Sequence, residues 1–296
     1  MPQGSWIAVD WGTTNRRAYR IGRGGGVEER LSDHRGTLSI AAGGFSAAAA
    51  ELRSRLGDHP LLLAGMVGSN RGWREVPYVA APAGVEEVAS GVLHLPEESA
   101  FLVPGVRQHE DDRPDVMRGE EVQLLGAVAA GLVPGDARIC HPGTHAKWAR
   151  IEAERVSGFR TIMTGELFAT LRQHGILAPQ LQAEVAIGDP FRGGVRHGLG
   201  HDDLTAELFT IRARLLTATL REEDAASYAS GLLIGTDVRI GLAFLGDPER
   251  EIALIGASAL TDLYRAALSE AGRPARCIDG EEAFVAGARA LAEVLL

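Results

Sequence analysis

Asp10-Trp11-Gly12-Thr13-Thr14 brings together the three residue types that a phosphate site uses. Glycine lets backbone N–H groups approach an anion without a Cβ in the way. Threonine hydroxyls bond phosphate oxygens, and a carboxylate can hold Mg²⁺ against them. The same Asp-x-Gly-Thr order also makes an ordinary hairpin turn. A second Gly-Thr turn lies in Pro142-Gly143-Thr144-His145-Ala146-Lys147-Trp148, and it contains the one lysine among 30 cationic residues. Lysine differs from arginine in being a compact point charge on a slim stem. In a strand starting at His145, alternation puts His145 and Lys147 on one face, so Lys147 can reach back to phosphates held at Gly143 and Thr144. Gly256-Ala257-Ser258 forms a third corner, whose small side chains admit a flat adenine or a ribose. No Walker pattern is present, and no G-x-G-x-x-G follows a strand, which argues against P-loop and dinucleotide folds.

These corners need elements to hold them. Trp6 to Asp10 reads as a buried strand, Arg16 to Ile21 as an alternating strand, and Val27 to Ser32 as its hairpin partner. Phe45 to Leu56 is helical, and Leu61 to Ala64 is a buried strand ended by Gly65. A glycine-rich loop runs from Gly65 to Pro77. A helix begins near Gly119 with Glu120 and Glu121 in its first turn, where acids complement the helix dipole. The design then restarts: Arg138 to Cys140 is a strand, and Gly143-Thr144 is the turn. Strands His145 to Ile151 and Val156 to Met163 follow. This matches the first half in topology, a weak internal duplication. Helices are expected at 166–174, 189–198, 205–216 and 223–243, a strand at 252–255, and helices at 260–270 and 283–296. Thr164-Gly165-Glu166 reads equally as a helix N-cap and as a site turn. The best domain boundary gives an N-terminal domain at 1–132 and a C-terminal domain at 133–296, its last helix free to pack back on the first. A cleft between the two is expected.

The 296 residues, with 45% apolar and 23% charged side chains, suit a folded chain with a large core. A net charge of −9 gives no footprint for nucleic acid and none for an acidic membrane surface. Two cysteines make neither a disulfide framework nor a zinc cluster, and no secretory signal or membrane span is read, so a cytoplasmic location is expected. No H-x-x-x-H or H-E-x-x-H pair stands on a predicted helix, so no transition-metal site is expected. The oligomeric state is left open, a homodimer among the options.

Several blocks carry a resemblance. Asp10-Trp11-Gly12-Thr13-Thr14 resembles the first phosphate motif of the actin/hexokinase/Hsp70-like ATPase superfamily, and the second turn and 252–258 resemble its second phosphate and adenosine motifs. More narrowly, blocks 8–15, 64–73, 116–123, 142–148, 159–167 and 230–235 are similar in order to the 2-keto-3-deoxygalactonate kinases. The resemblance implies an α/β chain with the two-domain actin-like (ribonuclease H-like) fold, mixed sheets with flanking helices and a nucleotide cleft. It further implies ATP and Mg²⁺, and phosphorylation of the terminal 6-hydroxyl of 2-dehydro-3-deoxy-D-galactonate in galactonate catabolism. One departure stands out: Cys140, His141 and Pro142 occupy positions where the superfamily usually carries an aspartate, which leaves metal binding mostly to Asp10.

Phosphoryl transfer to an alcohol needs charge neutralisation and a base at the acceptor. Glu120 is the expected base with Glu121 its rival, because adjacent helix positions point about 100° apart and one alone faces a site. First-turn acids that merely complement the dipole are the plain alternative. Lys147 is grouped with the catalytic residues. Arg118 suits the substrate carboxylate, Ser69 and Asn70 suit hydroxyls, and Trp73 suits one wall. Two other functions compete with the sugar-acid kinase: an exopolyphosphatase-like phosphohydrolase, and a non-catalytic nucleotide-switched binding module.

Overall fold

Trp6–Trp11 forms strand β1, buried along nearly its whole length as its continuous apolar character demands. β2 (Arg16–Ile21) and β3 (Val27–Asp33) follow it in antiparallel succession. α1 (Phe45–Leu56) buries Phe45, Ala48, Ala49, Leu52 and Leu56, an apolar face at helical spacing. β4 (Leu61–Gly65) then lies parallel to β1 on its other side, with Asp10 opposite Ala64 and Trp11 opposite Gly65. The computed structural model describes residues 4–110 and 113–295.

The stretch after Pro77 gives no periodic signal, yet it is structured. It holds β5 (Val79–Ala80), α2 (Val85–Ser90), β6 (Leu93–Leu95), β7 (Ala100–Leu102), β8 (Val106–Glu110) and β9 (Arg113–Met117). β7 and β6 extend the first sheet to the order β3-β2-β1-β4-β7-β6, and β5, β8 and β9 make a small sheet of their own. α3 (Glu120–Ala129) follows and is buried on almost every face.

The second sheet is opened by β10 (Ala137–His141), β11 (Ala146–Glu152) and β12 (Arg155–Ile162). Four helices come next, α4 (Thr164–Gln173), α5 (Asp189–Gly200), α6 (Leu204–Leu216) and α7 (Ala225–Leu245). β13 (Ile252–Gly256), α8 (Ser258–Glu270), β14 (Ala275–Asp279) and α9 (Gly280–Leu295) complete the chain. β13 lies parallel to β10 and to β14. The resulting order, β12-β11-β10-β13-β14, repeats the first sheet's β3-β2-β1-β4 in corresponding positions. The duplication expected from the two Gly-Thr turns is therefore present in the topology.

The chain forms two compact units, residues 1–136 with 151–159 and 280–296, and residues 137–150 with 160–279. The sequence suggests one division near residue 132 with the last helix free to pack back on the first domain; in the structure residues 280–296 cluster with the first unit, and 151–159 do so as well. α9 packs on α3 through glycine: a Cβ on Gly126 or on Gly287 would collide with the facing helix backbone. In the second unit Gly194, Gly198, Gly231 and Gly235 let α5 and α7 approach to the same degree. This gives a packing reason for the Ser230–Gly235 block. α7 with its leading turn is apolar and long enough to cross a membrane, but 72% of its most apolar window is buried inside the protein.

Candidate active site

Hydrogen bonds shape the first turn from behind. The carbonyls of Gly12, Thr13 and Thr14 accept the N–H groups of Thr37, Leu38 and Gly36, and Gly12 N–H donates to Asn15 O. With its carbonyls occupied, the turn exposes Thr13 and Thr14 to solvent. Asp10 stands at the end of β1, one-fifth exposed, with Arg17 Nη1 3.3 Å from its carboxylate. Burial raises the Asp10 carboxyl above the usual range; Arg17 opposes this, and the charge of Glu120 adds to it.

Glu120 reaches this place because two backbone segments meet there. Gly65 and Gly119 both have positive φ, 92° and 109°. A Cβ on Gly65 would lie 2.8 Å from Trp11 O, and one on Gly119 would lie 3.2 Å from Gly65 Cα. Neither position tolerates a side chain, so the end of β4 can bring the start of α3 beside the end of β1. Glu120 is partly exposed and accepts the Arg118 N–H at 3.0 Å. Glu121 is fully buried, and both its carboxylate oxygens face the Gly119 N–H, at 2.8 and 2.7 Å. Burial, reinforced by the Glu120 charge, pushes its pKa up to about 8. The pair that the sequence leaves undecided is thus separated by environment.

Arg118 is nine-tenths buried, stacked 4.2 Å over the Tyr78 ring, and donates from Nη2 to Val76 O at 2.8 Å. Its Nε and Nη1 are buried with no hydrogen-bond partner among the described residues. Two unmatched buried guanidinium nitrogens are donors that an acceptor such as a carboxylate completes. Nη1 lies against Gly68, next to the Ser69-Asn70 loop. Asn70 is exposed. Ser69 is buried, and its hydroxyl is used inside the loop, donating to Met66 O at 2.7 Å and accepting the Arg71 N–H at 3.3 Å. Trp73 belongs to the first unit's core, stacked on Phe45 with centroids 6.3 Å apart.

In the second unit Gly143 and Thr144 form the second turn, with Thr144 exposed. The turn rests on the start of α4, where Glu166 N–H donates to Thr144 O at 3.0 Å and Gly165 lies against the Gly143 carbonyl. β11 begins at Ala146, one residue later than expected, so His145 stays in the turn and its Nε2 bonds Glu166. Lys147 is buried at 3% exposure, and its Nζ donates back along the strand to His145 O at 3.3 Å. The third corner ends β13, the parallel neighbour of β10. A Cβ on Gly256 would lie 3.7 Å from Pro142 O, so the second and third corners adjoin, with Ala257 and Ser258 exposed.

Two features escape the sequence reading. Asp237, fully buried in α7, accepts hydrogen bonds from Trp148 Nε1 and Tyr264 Oη at 2.5 Å each and from Thr164 Oγ1. It ties β11, α8 and the start of α4 around the second turn, and burial pushes its pKa up to about 6. A lone acid in the apolar run of α7 was the available signal, because such a group must find partners. The second feature is a pair of histidines: His197 lies in the last turn of α5 and His201, four residues on, is the extended residue that follows the helix.

A model of the 2-keto-3-deoxy-galactonokinase family matches residues 10–291. A 2-dehydro-3-deoxygalactonokinase of Escherichia coli (strain K12) is 34% identical over 292 residues, covering 98% of each chain. A Rhizobium meliloti (strain 1021) protein named as a probable 2-dehydro-3-deoxygalactonokinase is 37% identical over 308 residues, covering 99% of this chain and 98% of that one. A crystal structure of a Sinorhizobium meliloti protein superposes with a TM-score of 0.91 at 36% identity, covering 98% and 99% of the two chains. At 14% identity, component A of the Acidaminococcus fermentans (R)-2-hydroxyglutaryl-CoA dehydratase gives 0.54 over 98% and 97%, a likeness of fold alone. The mixed sheets and doubled strand order are those of the actin-like ATPase fold that the motifs imply.

Proposed function

Since the chain belongs to the 2-keto-3-deoxy-galactonokinase family, we propose that it transfers the γ-phosphoryl group of ATP to the terminal 6-hydroxyl of 2-dehydro-3-deoxy-D-galactonate. The observation that carries the site reading is the gathering of Asp10, Arg118 and Glu120 within the first unit. In it a partly exposed carboxylate acts electrostatically on a second one at the phosphate turn. Glu120 is the base that takes the hydroxyl proton; Glu121, sealed from solvent and holding its proton near neutral pH, is a positioning residue for the start of α3. The unmatched N–H groups of Arg118 receive the sugar-acid carboxylate, and Asn70 a hydroxyl.

In the first unit the Gly12-Thr13-Thr14 turn is a phosphate-binding turn; in the second unit the Gly143-Thr144 turn is another, with Lys147 adding positive charge, and the adjoining Gly256-Ala257-Ser258 corner takes the nucleoside. Asp10 suits Mg²⁺: its carboxylate stands at the end of β1 beside the phosphate turn, and a divalent cation offsets the burial and the Glu120 charge that disfavour its ionised form. The metal, when bound, supplies charge neutralisation on the transferred phosphates. The competing functions lack support, since the full-length family match is to kinases. A cytoplasmic, galactonate-catabolic role follows the same reading.

The test is ADP release with a panel of 2-keto-3-deoxy sugar acids. Release that depends on the galactonate-derived acid supports the proposal. Equal release without an acceptor supports a hydrolase, and no release supports a binding module. The gluconate-derived epimer differs at one hydroxyl, and discrimination against it measures whether a buried hydrogen bond is left unpaired.

A further inference from the structure

The end of α5 and the first turn of α6 place His197, His201 and Glu207 together, and their ligand-type atoms all lie within 4.8 Å of one another. A cation at about 2.0–2.2 Å from imidazole nitrogen and carboxylate oxygen needs these atoms only slightly rearranged. Both imidazoles are held from the far side. His197 Nδ1 lies 2.6 Å from Tyr228 Oη, and His201 Nδ1 lies 2.9 Å from the His197 carbonyl. With Nδ1–H donating to these oxygens, each ring keeps the Nε2 lone pair for a ligand, the outer-partner arrangement that orients metal-binding histidines. His197 Nε2 already faces Glu207 Oε2, so both residues present a ligand atom to the same point. His197 and Glu207 are mostly buried, with side chains 11% and 17% exposed, while His201 is open to solvent and provides the entry.

The geometry points to a divalent transition-metal site at His197, His201 and Glu207, taking Zn²⁺ or a cation of similar softness and clamping α5 to α6. Two imidazoles and one carboxylate select this class over Mg²⁺ and Ca²⁺, which prefer all-oxygen sites. The site leaves a fourth coordination position open.

The experiment uses the tag-free whole chain, freed of metal with EDTA, desalted, and titrated with Zn²⁺ alone against a chromophoric zinc chelator. A Cys277→Ser background removes the exposed thiol as a competing ligand. One equivalent of Zn²⁺ should be taken up, and its binding should raise Tm. His201→Ala, at an exposed position, and Glu207→Gln should each weaken binding by more than ~100-fold, and Tyr228→Phe by about 10–100-fold. Failure of the wild-type chain to take up Zn²⁺ would overturn the site. Uptake that His201→Ala and Glu207→Gln leave unchanged would overturn it too.

Discussion

The Glu121 carboxylate folds back on the Gly119 N–H, with both oxygens within hydrogen-bonding distance and no surface exposed to water. Burial is the larger influence and pushes the pKa from 4.5 up to about 8. The sign follows from linkage: the folded state holds a proton that the unfolded chain has released. Stability from this group is complete below about pH 4.5, declines by up to about 1.4 kcal/mol per pH unit, and is gone once pH has risen through 8. Glu121→Gln cannot titrate. Urea unfolding of both forms from pH 5 to 9 should show the wild type losing stability relative to the variant until about pH 8, then levelling. Parallel curves would show that Glu121 is ionised throughout.

Glu120 is the neighbour that meets solvent. Glu120→Gln should lower kcat by about 10²–10⁴, the usual worth of a positioned base, with KM for ATP and Tm little changed. Initial-rate kinetics check this. A loss confined to Glu121→Gln would reverse the assignment.

Arg118→Lys keeps the charge but not the planar fork, and a lysine stacks less well on Tyr78. KM for the sugar acid should rise by about 10-fold or more, given the 1.5–3 kcal/mol typical of a charge-assisted bond, while KM for ATP holds. Equal rises in both constants would point to a folding defect instead.

Gly126→Ala drives a methyl into the α9 backbone at Ala283 and Gly287, where no flexible side chain can give way. Overpacking of this kind costs about 1–3 kcal/mol, and moving α3 should also disturb Glu120, so stability and kcat should fall together. Gly26→Ala, with open space around it, is the matched control. Denaturant midpoints and turnover measured on both variants decide the point.

Much of the frame was legible because strand and helix periods are strong where elements are long and buried. α1 is read at its observed ends, β1 and β4 lie where apolar runs place them, and β2 lies where alternation places it. β5 is only two residues long, β8 and β9 carry polar residues and a proline in short runs, and β14 exposes Cys277, so none gives an alternating signal. α3 shows why the base could not be chosen: residues 121–127 are buried on every face, so no apolar stripe distinguishes Glu120 from Glu121. The Gly-Thr turns were visible as chemistry. Ser69 and Trp73 were visible too, but they turn their groups toward their own loop and core. That choice depends on tertiary packing.

The most direct measurement is ³¹P NMR of the reaction of the purified chain with ATP, Mg²⁺ and 2-dehydro-3-deoxy-D-galactonate. A new phosphomonoester resonance coupled to the two protons on C6 should appear and grow in step with ADP. Inorganic phosphate as the sole product, or an ester at any other carbon, would contradict it.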